Sequence, residues 1–71
     1  MQSESVEITV NGERRQVSSG LSVASLLDLL RVASDRVAVE LDRSIVRKRD
    51  WHETFVQNGA KIEIVEFVGG G

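Results

Sequence analysis

The amino-acid sequence predicts an α+β fold: one helix laid across one face of a mixed sheet of four to five strands. Three observations carry that expectation. Segments in which apolar and polar residues alternate occur near both ends and in the middle of the chain. Helical spacing occurs in a single segment, and 71 residues leave room for one modest core. A small domain with that element count buries its apolar surface by packing the helix on the sheet.

Each element follows from its residues. In "VEITV", Val6, Ile8 and Val10 share one strand face, with Glu7 and Thr9 on the other. Asn11-Gly12 then marks a tight hairpin, because both residue types accept the positive φ of a type I′ turn. "ERRQV" returns with Val17 toward the core, and "SSG" at 18–20 breaks the chain. The stretch "LSVASLLDLLRVAS" places Val23, Leu26, Leu27 and Leu30 at i, i+3, i+4 and i+7, one apolar stripe. Ser22 suits the N-cap, Leu29 lies at the margin of the stripe, and the helix is expected to fade near Ser34-Asp35.

"RVAVEL" alternates again, with Val37, Val39 and Leu41 on one face; Asp42-Arg43 turns the chain into a short strand around Ile45-Val46. The polar stretch "RKRDWHET" reads as a connection with a turn or a short 3₁₀ piece, in which Trp51 either pins the connection to the core or lies partly exposed. "QNGA" is the last turn and "KIEIVEF" the last strand, with Ile62 and Ile64 toward the helix. Hairpin partners alone cannot close such a sheet, so the first and last strands are expected to pair in parallel at its centre. That arrangement is the β-grasp, the ubiquitin-like fold. It is assigned to residues 1–67, with 68–71 as a flexible C-terminal glycine tail.

Composition narrows the function. With 41% hydrophobic and 28% charged residues the chain reads as a soluble globular domain, and a formal net charge of −2 lacks the positive footprint that nucleic acid requires. Without cysteine, and with His52 as its one histidine, the sequence offers no metal cage and no thiolate nucleophile. No apolar run approaches a membrane span and "MQSES" is no signal peptide, so a cytoplasmic location away from membranes is expected. Neither phosphate-binding glycine motif occurs, and His52 has no glycine-flanked serine near it. Glu63 and Glu66 read as solvated strand residues, and the run Arg47-Lys48-Arg49 as a solvated loop or a steering patch for an acidic partner. No enzymatic activity is expected of the chain itself.

Two features remain. Alternation along the last strand turns Val65 and Phe67 away from the helix, to the face where a small sheet meets water, and large apolar groups there read as a docking surface. Beyond them "VGGG" reaches at most about 13 Å when extended. Three glycines carry no side chain to obstruct a narrow channel, so Gly69, Gly70 and Gly71 suit threading into a partner's active site; a frayed terminus would look the same.

Taken together, "ITVNGE", "VAVELDRSIV", "DWHET" and above all "NGAKIEIVEFVGGG" resemble the ThiS family, the ubiquitin-like sulfur carriers of thiamine biosynthesis, over nearly the whole chain. The resemblance implies that an adenylyltransferase of the ThiF type activates the carboxylate of Gly71 with ATP, and that sulfur from a persulfide donor converts it to a thiocarboxylate. The thiazole synthase ThiG would then take that sulfur. It implies that Val68, Gly69 and Gly70 thread into the partner with Phe67 at the base of the tail, that no cofactor is bound, and that ATP belongs to the activating enzyme. The chain departs from the family at Arg47 and Phe55, where relatives carry proline, and at Ala60, where they carry aspartate. Alternatives are a MoaD-like carrier for molybdopterin synthesis, a ubiquitin-like modifier and a plain interaction module.

Overall fold

The computed structural model describes residues 4–67. Its five strands are β1 (Ser5–Val10), β2 (Glu13–Ser18), β3 (Val37–Leu41), β4 (Ser44–Val46) and β5 (Lys61–Glu66), with one helix, α1 (Val23–Leu29). They form one sheet in the order β2-β1-β5-β3-β4. β1 and β5 pair in parallel through Thr9↔Lys61 and Val10↔Ile62, so the first and last strands lie at the centre as the sequence requires. All other pairings are antiparallel.

Both two-residue turns take left-handed backbone. Asn11 and Gly12 have φ of 50° and 85°, and Asp42 and Arg43 have 50° and 72°. Such turns match the right-handed twist of the strands they join, which fixes the register of each hairpin. The inner face carries Ile8, Val39 and Ile62, and against it pack Val23, Leu26 and Leu27 of α1, all essentially fully buried. Burying each aliphatic side chain of this size contributes about 1.5–3 kcal/mol before entropy is charged against it. Leu30 and Ile64 pack at the edge of this core, half-buried.

The helix begins where its cap predicts. The Ser22 hydroxyl accepts the Ser25 N–H at 3.1 Å, satisfying one of the free donors of the first turn. It ends sooner than the apolar spacing suggests, at Leu29 with Leu30 as C-cap, rather than near Ser34-Asp35. Arg31 takes φ of 59°, the Arg31 N–H donates to Asp28 O and the Val32 N–H to Leu27 O, both at 3.0 Å. These are the two bonds of a Schellman stop. A separate 3₁₀ turn, Ser34–Arg36, then leads into β3.

Trp51 pins the long connection to the core. It is 4% exposed, and its Nε1–H donates to Val46 O at 2.9 Å, so the polar end of the ring is satisfied as the apolar body is buried. A 3₁₀ turn at Lys48–Asp50 presents it. Arg47, where the resemblance would place proline, has φ of −67°, the value a proline ring imposes, so this departure leaves the loop geometry intact.

Candidate docking face and tail base

Among the described residues, the sheet face away from α1 is left uncovered around Ile45, Val65 and Phe67. Register assigns it Glu40 opposite Glu63, Ala38 opposite Val65, and Ile45 on β4 opposite Glu40. Val65 and Phe67 are each 57% exposed and Ile45 72%. The expected docking pair is therefore where alternation puts it, with Ile45 as an addition. A signal for Ile45 was present: a two-residue turn at Asp42-Arg43 makes Leu41 face Ser44, which sets Ile45 beside Glu40 on the outer face. Like charges directly opposite one another cost stability in an isolated sheet, so the Glu40–Glu63 pair is unfavourable for folding alone.

The base of the tail is anchored. The Phe67 N–H donates to Arg36 O at 2.7 Å, carrying the β3–β5 ladder one residue past β5. The direction in which the chain leaves the sheet is thus set by hydrogen bonds up to Phe67. Val68, Gly69, Gly70 and Gly71, expected to enter a partner's active site, lie outside the described residues.

On the opposite edge of β5 a side chain replaces a strand. β1 turns away after Val10, and Asn11 bridges the gap: its backbone N–H donates to Ile62 O at 2.9 Å, its Nδ2 donates to Ile64 O at 3.2 Å and its Oδ1 accepts the Ile64 N–H at 2.7 Å. Asn58 and Asp42 anchor the start of β5 similarly, accepting N–H groups of Glu7 and Lys61 at 2.9 Å. Arg47, Lys48, Arg49 and His52 are all exposed. Among the described residues no cluster of histidine and carboxylate groups could hold a metal ion, and no helix is long and apolar enough to cross a membrane.

Comparison with known proteins agrees with this geometry. The ThiS family model matches residues 5–71. The chain belongs to the ThiS family. The crystal structure of a thiamine biosynthesis protein (ThiS) from Geobacter metallireducens superposes with a TM-score of 0.82 at 35% identity, covering 93% of this chain and all of that one. The β-grasp architecture of the ThiS family is thereby shown for this sheet and helix. The sulfur carrier protein ThiS of Escherichia coli is 27% identical over 66 residues, 93% of this chain and the whole of that protein. A thiazole synthase from Paramagnetospirillum magneticum is 42% identical over 66 residues; these are 93% of this chain and 20% of that protein, so the chain spans about a fifth of that relative.

Proposed function

We propose that this member of the ThiS family is a sulfur carrier of thiamine biosynthesis, a protein co-substrate whose Gly71 carboxylate is the group transformed. The observation that carries the reading is the set of exposed apolar residues Ile45, Val65 and Phe67 on the outer face, which reaches the hydrogen-bonded base of the tail at Phe67. Ordering backbone costs about 1–2 kcal/mol per residue, so drawing Val68–Gly71 into a channel opposes binding by several kcal/mol. Burial of Ile45, Val65 and Phe67 against a partner offsets that cost, and Glu40 and Glu63 favour a basic surface beside them.

The chemistry follows from the weakness of a carboxylate as an electrophile. Attack of the Gly71 carboxylate on the α-phosphorus of ATP, held by a ThiF-type adenylyltransferase, forms an acyl-adenylate and expels pyrophosphate. The terminal sulfur of a persulfide then attacks the acyl carbon and AMP leaves with its electron pair. A thiol cleaves the resulting S–S bond, leaving the thiocarboxylate and a disulfide. A thiazole synthase takes the sulfur, a role supported by the carrier-like segment within the Paramagnetospirillum magneticum synthase. None of these steps asks an acid, base or metal of the carrier.

Incubation with such an adenylyltransferase, ATP and a persulfide donor is expected to exchange one terminal oxygen for sulfur, read by intact-mass spectrometry. A chain lacking Gly71 should remain unmodified, and equal modification of both chains would sink the reading. The loaded protein should then donate sulfur to a thiazole synthase and poorly to a molybdopterin synthase. Efficient molybdopterin formation without thiazole would reassign the pathway and leave the carrier chemistry standing.

A further inference from the structure

We propose that a groove on the helix side of β5 receives an aliphatic side chain of the activating enzyme with a lysine or arginine beside it, so that this partner grips β5 from both faces. The proposal rests on the carrier reading above. Two departures from simple periodicity build the groove. The helix α1 stops at Leu29 and the left-handed turn at Arg31 carries the chain aside, so Leu30 and Val32, which would have ridden on a longer helix, line the groove half-buried instead. On β2 the charged residues Glu13 and Arg15 stand directly opposite Val10 and Ile8, on the face that the core occupies, yet both are exposed. Val10 and Ile64 complete the floor, and the space between these elements is about 260 Å³.

Size, charge and position each narrow the occupant. Small-molecule sites run from about 300 to 1,000 Å³, so this groove suits a side chain better than a metabolite. Its aliphatic floor calls for an apolar one. The rim holds two carboxylates, Glu13 and Glu66, against one cation, Arg15, and so favours a basic neighbour. Glu40 and Glu63 favour the same chemistry on the outer face, where Val65 and Phe67 are exposed. Alternation along β5 puts Ile64 and Glu66 on one side of the strand and Val65 on the other, so the two surfaces stand back to back with a single strand between them. A partner of one character matches both, and an enzyme that buries Val65 and Phe67 needs only a second wall around β5 to reach the groove.

Three positions on the groove test the proposal with opposite signs. Binding to the ATP-dependent activating enzyme, measured by calorimetry at low salt, is expected to weaken about tenfold in Glu13→Lys and in Val32→Phe, whose ring would fill the groove. Arg15→Glu should instead bind about threefold more tightly, since it adds a carboxylate to a rim that faces a basic surface. Methyl NMR of the wild-type chain needs no substitution: the Leu30 and Val32 signals should move in the complex together with those of Val65. Affinities of all three variants within about twofold of wild type, with the Val32 methyls unmoved, would overturn the groove contact. Phe67→Arg would still bind weakly in that case, and the carrier reading would stand. Movement of the Val32 methyls with a thiazole synthase but not with the activating enzyme would overturn the proposal too, giving the groove to the synthase. Failure of the wild-type chain to bind the activating enzyme would sink both readings.

Discussion

Asn11 works through both its backbone and its side chain. Its φ of 50° serves the β1–β2 turn, while its amide group bridges to Ile64, 53 positions away. The two roles separate by substitution. Asn11→Gly keeps the turn and loses both side-chain bonds, an expected cost of about 1–2 kcal/mol. Asn11→Ala should cost about 1 kcal/mol more, because a Cβ is disfavoured at left-handed φ. Urea denaturation of the two variants measures the difference, and equal stability would remove the strain argument. The hairpin role was legible in the dipeptide Asn-Gly; the bridge was not, since it depends on the β1–β5 register. Phe67 illustrates the converse, a residue whose exposure follows from alternation alone. Phe67→Arg should shift stability by no more than about 0.5 kcal/mol, as surface changes usually do. Its affinity for the activating enzyme should fall well beyond that. A large fall in thermal midpoint with unaltered binding would return Phe67 to the core.

At the scale of elements, strands were more legible than the helix end. Strand faces follow from period-2 alternation, and β1, β3 and β5 turn the residues that alternation selects toward the core, with Val6, Leu41 and Ile64 half-buried at its edge. The helix start was marked by Ser22, but no glycine, asparagine or proline marks its end. Apolar spacing continues to Leu30 and beyond, so periodicity overshoots, and the stop at Arg31 comes from hydrogen bonds that no residue type announces. An arginine at φ of 59° carries a penalty that glycine would not. Arg31→Gly is therefore expected to stabilise the domain by about 0.5–1 kcal/mol, offset in part by the greater freedom of glycine in the unfolded chain. Thermal melts of this variant beside Arg31→Ala would check it, and the glycine variant should be the more stable of the two. The fate of Trp51 was open in the sequence because a lone aromatic in a polar stretch has no periodic partners. Its Nε1 bond to Val46 O decides it.

Across the whole molecule, the one core joins every element, and its only tryptophan lies inside it. Unfolding followed by tryptophan fluorescence and by far-ultraviolet circular dichroism should give coincident transitions, as a single cooperative unit requires. An earlier fluorescence transition would mean that the Lys48–Val56 connection opens by itself. The order β2-β1-β5-β3-β4 also bears on how the protein is made. A ribosome emits β5 after the other four strands, yet β5 is the strand on which both halves of the sheet are built. Until it emerges, the β1–β2 and β3–β4 hairpins have no common neighbour, and an isolated two-stranded hairpin is at best marginally stable. A nascent chain interrupted before Lys61 is left as two hairpins and a short helix without a shared core, a form open to proteolysis. Completion of translation and closure of the core thus coincide: β5 is the last strand made and the one whose arrival joins the two hairpins, so a chain interrupted before it is expected to be cleared while one extended past Glu66 folds.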